Sequence, residues 1–285
     1  MFPDNKKIYF LSDFHLGAPN HAASLEREKI IVQFLDEIKK DAGEIFLVGD
    51  MFDFWYEYRK VVPKGYVRLL GKLGELSDAG ILLHFFAGNH DMWTRDYFQK
   101  ELGIRVYFKP EELERQGKKF LIGHGDGLGP GDQGYKRLKK IFRNPVCKWL
   151  FGILPPLAGI SLAHYLSRRS RAQTGTSEEA FLGEDKEWLL IYCKEVLAEK
   201  KIDFFVFGHR HLAIDYRLFL AETLAKEGTP RSTEWRETGG VGSEGREARY
   251  INLGDWIHCF TYAIFDGEKL ELKSFKGKEG KIIRN

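Results

Sequence analysis

The sequence predicts an α/β chain in which two packed, mixed sheets are flanked by helices, and three observations carry that expectation. Short apolar runs of strand length alternate with helical patterns along most of the chain. Five of the runs end in blocks rich in Asp, His and Asn: Asp13-Phe14-His15, Gly49-Asp50-Met51-Phe52-Asp53, Gly88-Asn89-His90-Asp91, Gly123-His124-Gly125-Asp126 and Gly208-His209-Arg210-His211. The 285 residues, 43% hydrophobic and 30% charged, suffice for one large core with an insertion. We therefore read residues 1–285 as a single domain.

The elements follow in order. Tyr9-Phe10-Leu11 is the strand before the first block, and residues 26 to 40 place Ile30, Ile31, Phe34, Leu35 and Ile38 on one helical face. Ile45-Phe46-Leu47-Val48 leads to the second block. Residues 66 to 77 form a second crossover helix through Tyr66, Leu69, Leu70, Leu73 and Leu76. A strand from Leu82 to Ala87 carries the third block, a helix is expected near 94 to 102, and short strands around 104 to 108 and 118 to 123 lead to the fourth. After an insertion at 129–183, an amphipathic helix at 186 to 199 and the strand 203 to 207 lead to the fifth. Strands at 213 to 220, 249 to 253, 260 to 265 and 269 to 275 are expected to complete the second sheet, with Asp266-Gly267 as the last hairpin turn. Residues 222–248, charged and Gly-rich, are expected to be a mobile hairpin loop.

The net charge is only +3, yet Tyr135 to Arg171 contains nine Lys or Arg and no Asp or Glu, which implies a partner of negative charge. Within this insertion the run from Trp149 to Leu166 is uncharged and long enough to suggest a membrane span. Pro155-Pro156, Gly152 and Gly159 oppose that reading, because a helix would break near its middle. Two helices joined at the prolines, capping the site, are expected instead. Cys147, Cys193 and Cys259 have no metal or redox spacing, which suits a reducing compartment. No apolar export segment precedes the first strand, so the chain is expected inside the cell.

Ligands in open α/β sheets collect beyond the carboxyl ends of strands. Carboxylate, amide and imidazole donors gathered there suit a pair of divalent ions, about 3.5 to 4 Å apart, that bind a phosphate and acidify a shared water. Asp50 is the candidate bridge. Asp13, His15 and His211 would complete one position, and Asn89, His124 and His209 the other. Alternate residues of an extended segment share a side, which pairs Asp13 with His15 and His209 with His211. The mixed oxygen and nitrogen set favours manganese, with iron, zinc or cobalt as further candidates.

The five blocks resemble the calcineurin-like metallophosphoesterase superfamily, with its D-x-H, G-D-x-x-D, G-N-H-[DE], G-H and G-H-x-H pattern, over about residues 7 to 265. The resemblance implies a four-layer α-β-β-α sandwich. It also implies that His90 is no ligand but protonates the leaving oxygen or stabilises the phosphoryl charge, with Asp53 orienting it. A narrower similarity lies in Leu11 to Gly17, Asp53-Phe54-Trp55, Gly123 to Asp126 followed by Asp132, Gly134 and Tyr135, then Arg143-Asn144-Pro145 and Arg168-Arg169. These look like the UDP-2,3-diacylglucosamine diphosphatases of lipid A synthesis, manganese enzymes at the inner face of the inner membrane that release UMP and 2,3-diacylglucosamine 1-phosphate. In that family a helical cap holds the acyl chains. Asp132, Tyr135, Arg143, Arg168, Arg169 and Arg171 are the corresponding candidates for substrate binding.

One departure stands out. The best-known diacylglucosamine enzymes carry G-N-R-D where this chain has Gly88-Asn89-His90-Asp91. Arginine grips phosphate as a fixed charge, whereas histidine can also transfer a proton. A related phosphoesterase acting on another UDP-sugar, a nucleotide or a phospholipid is thus the alternative. The apolar residues Trp149, Leu150, Phe151, Ile153, Leu154, Leu157, Ile160, Leu162 and Leu166, beside a basic cluster, are expected to meet acyl chains or an anionic membrane surface. Nucleic acid is not expected as a partner, since exposed aromatics interleaved with basic residues are few. A non-catalytic binding protein would leave the seven ligand-type residues and His90 unexplained.

Overall fold

The computed structural model describes residues 6–130, 133–163, 165, 180–220, 245–275 and 282–285. Its elements are β1 (Lys7–Leu11), α1 (His21–Ile38), β2 (Ala42–Leu47), α2 (Val67–Asp78), β3 (Leu82–Phe86), α3 (Tyr97–Leu102), β4 (Arg105–Tyr107), β5 (Glu111–Arg115), β6 (Lys118–Ile122), α4 (Gln133–Arg143) and α5 (Pro145–Ile153). After further helical residues at 156–163 come α6 (Trp188–Glu199), β7 (Phe204–Phe207), β8 (Ala213–Leu220), β9 (Arg246–Leu253), β10 (Thr261–Phe265), β11 (Leu270–Ser274) and β12 (Ile283–Arg284).

The strands form two six-stranded sheets, ordered β11-β10-β1-β2-β3-β4 and β12-β8-β9-β7-β6-β5. Period-two alternation decides which face each side chain serves. Ile8 and Phe10 of β1, Phe46 beside them and Phe86 point inward to meet Phe120, Val206 and Ile251 of the other sheet. Tyr9 and Leu11, Ile45 and Leu47, and Leu83 and Phe85 point outward beneath α1, α2 and α3. On the second sheet Phe205, Phe207 and Tyr250 face outward to Leu189, Leu190, Cys193 and Leu197 of α6. The result is the four-layer α-β-β-α sandwich.

β1, β2, β3 and β4 run parallel, as do β6, β7 and β9, so the carboxyl ends of β1, β2, β3, β6, β7 and β9 carry the functional loops. One expectation needs correction, and one strand lies where none was expected. The strands expected at 260 to 265 and 269 to 275 do not complete the second sheet; β10 pairs antiparallel with β1 in the first, Ile8 opposite Phe265, and β11 follows it. Hydrophobic period shows that a segment is a strand and does not say which sheet it joins. β5 was not foreseen, because Glu111-Glu112-Leu113-Glu114-Arg115 offers one apolar residue; it is a polar edge strand, hairpin-paired to β6 across Gln116-Gly117, both at positive φ.

The hairpin at Asp266-Gly267 forms as expected, with the amides of Glu268 and Lys269 donating to the Asp266 carboxylate. β9 begins at Arg246, so 246–248 belong to a strand rather than to the expected loop. The remainder of that segment, 222–244, lies outside the described residues. α5 ends at Leu154, whose extended ψ of 137° suits a residue before proline, and no described helix is long and apolar enough to cross a membrane.

Candidate metal centre

The loop after β1 is laced to the loop after β2. The amides of Asp13, His15 and Leu16 donate to the carbonyls of Gly49, Asp50 and Met51, at 3.0, 2.9 and 3.1 Å, extending the parallel pairing past the strand ends. From the other side buried Arg27 of α1 donates to the carbonyls of Phe14, His15 and Ala18 at 2.7, 2.7 and 2.5 Å. Five functional residues, Asp13, His15, Asp50, His209 and His211, have φ between 43° and 70°. Such conformations cost about 1–3 kcal/mol each in non-glycine residues and persist where neighbours over-determine them. The expectation that Asp13 and His15, or His209 and His211, share a side because the chain is extended is therefore corrected: left-handed backbone aims these side chains.

Glycines at the site are required by close approach. A Cβ on Gly88 would lie 2.2 Å from Asp50 Oδ1, and one on Gly49 would lie 2.4 Å from His124 Nδ1.

The candidate ligands assemble in two groups. Asp13, His15 and His211 converge, as do Asp50, His124 and His209, the donor atoms in each group lying within 4.8 Å of one another. Asp50 Oδ2 is 3.2 Å from His124 Nε2 and 3.7 Å from His15 Nε2, so this carboxylate faces both groups. Asn89 joins the second through Oδ1, 3.1 Å from His124 Nε2.

Asp13 Oδ2 accepts from the Ser12 hydroxyl and, at 3.0 Å, from the His209 amide. Asp13 Oδ1 lies 3.5 Å from His15 Nε2 and 3.3 Å from His211 Nε2, yet this buried atom has no hydrogen-bond partner among the described residues. A buried carboxylate oxygen without a partner is costly in an apolar interior and suits a cation ligand. The Nε2 atoms of His15 and His211 face each other at 3.1 Å beside this oxygen, an arrangement that also suits a shared cation.

The electrostatics agree. Burial disfavours charge on His124, but Asp50 outweighs it and pushes that pKa up to about 10. Burial likewise opposes charge on His211, which Asp13 and Asp255 raise well above the usual imidazole value. The carboxylates thus call for positive charge in the pocket. Burial pushes His209 down to about 3, helped by repulsion from His124, which keeps it a neutral donor. Carboxylate, amide and imidazole donors of this kind fit divalent metal ions.

His90 stands beside the groups, its ring edge-on to His15 at 4.8 Å. Its Nδ1 lies 2.7 Å from the main-chain oxygen of Asp53 and 3.8 Å from the Asp53 carboxylate. The orienting contact at Asp53 is chiefly its carbonyl. Arg143 donates to the Phe108 carbonyl at 2.9 Å and lines a cleft that begins at His124. Asp132, Arg168, Arg169, Arg171 and the side chain of Tyr135 lie outside the described residues.

Several supporting residues escaped the sequence reading. Asp255 is buried behind His211, 3.5 Å from its Nδ1 and 3.0 Å from His258 Nδ1, and accepts from the amides of Ile257, His258 and Cys259. The next residue, Trp256, donates its amide to the Asp13 carbonyl at 3.1 Å. A signal existed: Leu253-Gly254-Asp255 repeats the form of Val48-Gly49-Asp50 at the end of another parallel strand. Asp91 accepts from the amides of Met51 and Gly88, while burial and the nearby Asp50 push its pKa up to about 8. Buried Arg210 pairs with Glu187 at 2.7 Å, anchoring the fifth block to the start of α6.

A family model described as calcineurin-like phosphoesterase matches residues 6–213, which takes in all five blocks. The chain belongs to the calcineurin-like phosphoesterase family. Among its relatives, a UDP-2,3-diacylglucosamine hydrolase of Porphyromonas gingivalis is 38% identical, across 96% of this chain and 99% of that protein. A protein of the same name from Ectopseudomonas mendocina is 26% identical, across 94% of this chain and 98% of its own. Membership places this phosphoesterase among metal-dependent hydrolases, as its donor groups require.

Proposed function

We propose that this phosphoesterase hydrolyses the pyrophosphate of UDP-2,3-diacylglucosamine, releasing UMP and 2,3-diacylglucosamine 1-phosphate for lipid A synthesis. The supporting observation is the 38% identity that runs through 99% of a protein named for that substrate. Asp13, His15 and His211 would hold one divalent ion, Asn89, His124 and His209 a second, with Asp50 shared, and manganese is the metal proposed. Bound there, the ions would supply an acidified water and positive charge for the phosphoryl oxygens.

The remaining work falls to the chain itself. His90 Nδ1–H donates to the Asp53 carbonyl, which fixes the ring, and in its imidazolium form the Nε2–H would give a proton to the leaving oxygen. Trp149, Leu150 and Ile153 of α5 and Leu157 just beyond it are 54 to 82% exposed, an apolar surface beside the basic Arg137, Lys140 and Arg143 of α4. This helical insertion is proposed as the cap that receives acyl chains and rests on the anionic inner face of the inner membrane.

The test is product analysis. Manganese-loaded protein is incubated with UDP-2,3-diacylglucosamine, other UDP-sugars, nucleotides and phospholipids, and the products are identified by mass. Release of UMP from the diacyl substrate at a rate well above the others is expected. Preference for an acyl-free nucleotide sugar would overturn the proposal.

A further inference from the structure

A substrate with a nucleotide at one end of a pyrophosphate and acyl chains at the other needs two unlike pockets meeting at the hydrolytic centre. Two clefts flank α4 and α5. On one side a groove of about 490 Å³ is walled by Tyr56, Trp93, Trp149 and Ile153 together with Glu57, Arg59, Arg95 and Lys148, with Tyr56 OH donating to the Lys148 carbonyl at 2.9 Å and Trp93 Nε1 to that of Phe142 at 2.8 Å. On the other side a cleft of about 710 Å³ starts at His124 and runs between the β4–β5 loop, the loop after β6 and α6.

Of these two clefts, only the second is lined by a candidate metal ligand, His124. The basic Lys109, Lys139, Arg143 and Lys200 line it, interleaved with Glu111, Glu112, Asp126 and Glu199, so it is a polar cleft with both signs of charge. Lys139 bonds the Asp126 carbonyl at 2.6 Å and its carboxylate at 2.5 Å, while Arg143 reaches the Phe108 carbonyl, so α4 is moored across the opening by polar contacts. Phe108 is 42% exposed and lines the cleft, offering an aromatic face for stacking, with Tyr107, Tyr192 and Val196 also in its wall. The space far exceeds what a single phosphate group needs.

Resting on the proposed hydrolysis, we propose that this cleft is the nucleoside subsite. It takes the uridine monophosphate arm, with the phosphate at the His124 end, the base against Phe108, and Lys139 and Arg143 along the ribose phosphate. The lipid arm leaves by the opposite side of α4.

The probe is UMP, titrated calorimetrically into the manganese-loaded protein, with inorganic phosphate as the comparison. Two variants act on the cleft by different routes: Phe108→Ala removes the stacking face, and Val196→Phe fills space in the wall formed by α6. Each is expected to weaken UMP binding, the first by about fivefold to a hundredfold, as loss of base stacking does. The loss in kcat/KM for the UDP-linked lipid should exceed the loss for bis(p-nitrophenyl) phosphate by at least fivefold. The subsite is wrong if wild-type protein binds UMP no tighter than phosphate, or if both folded variants bind it as wild type does. Mass analysis separates this failure from that of the hydrolysis: UMP released from the diacyl substrate by variants with unchanged UMP affinity overturns the subsite and leaves the hydrolysis standing.

Discussion

His90 and Asp255 both sit within one contact of the candidate ligands, but on different sides of them. His90 faces the reaction space, with His15 edge-on behind it and its Nδ1 held by the Asp53 carbonyl. His90→Ala should therefore keep its metal content while turnover falls about a hundredfold or more, within the range of lost acid-base groups; metal loss, reversed by excess manganese, would make His90 a ligand. Asp255 acts through His211, its carboxylate fixed by three backbone amides and turned toward Nδ1. Removing such a support usually costs about 10- to 100-fold in metal affinity. Asp255→Asn should show that loss in a direct manganese titration, with activity recovering when manganese is raised. Unchanged affinity would reduce Asp255 to a loop residue. The ligand-type residues were legible because each block couples an apolar run to a short polar motif. Asp255 was passed over because a lone Gly-Asp carries little weight until β9 is seen to run parallel to β7.

The polar edge elements were the least legible parts of the fold. β5 contributes little apolar surface, yet its Arg115 reaches over β2 to the wholly buried Glu44, with Nε 2.8 and 2.9 Å from the two carboxylate oxygens. His84 lies 3.5 Å from the same carboxylate and stacks on Phe46 at 4.3 Å. No local pattern predicts this, since residues 44 and 115 meet only through sheet packing. Burial works against the charged Glu44, but His84 and Arg115 outweigh it and hold the carboxyl below its ordinary range. A carboxyl with a depressed folded pKa stabilises most above the unfolded value, about 4.3, and loses that contribution as pH falls through the folded value. Glu44→Gln should thus cost about 1–3 kcal/mol at pH 7, and the gap from wild type in urea unfolding should narrow steadily below about pH 4. A gap that stays constant down to pH 3 would mean that packing, and not charge, is what Glu44 supplies.

At the scale of the molecule, the sandwich presents its strand ends to one side, and the helical insertion adds an apolar, basic surface there. Leu157 is 82% and Leu154 36% exposed, on either side of Pro155-Pro156. Leu157, so exposed, gains little from the fold itself, whereas Leu154 is mostly covered, so replacing both should lower stability by no more than about 1–2 kcal/mol. Contact with lipid changes that balance, because each side chain buried there gains up to about 1.5–3 kcal/mol, less whatever area is already covered. The double variant Leu154→Ser, Leu157→Ser should therefore remain folded, yet sediment at least tenfold more weakly with vesicles containing anionic phospholipid. Arg137→Glu with Lys140→Glu should weaken the same binding through charge, at about 1 kcal/mol per basic residue lost near the surface. That loss should shrink in 0.5 M salt, where the screening length falls well below 10 Å, whereas the loss from the leucine variant should persist. The two variants thus separate apolar insertion from electrostatic attraction. If both bind vesicles as wild type does, the exposed leucines are not a lipid contact, and the membrane role of the insertion falls while the metal centre on the sheets is untouched.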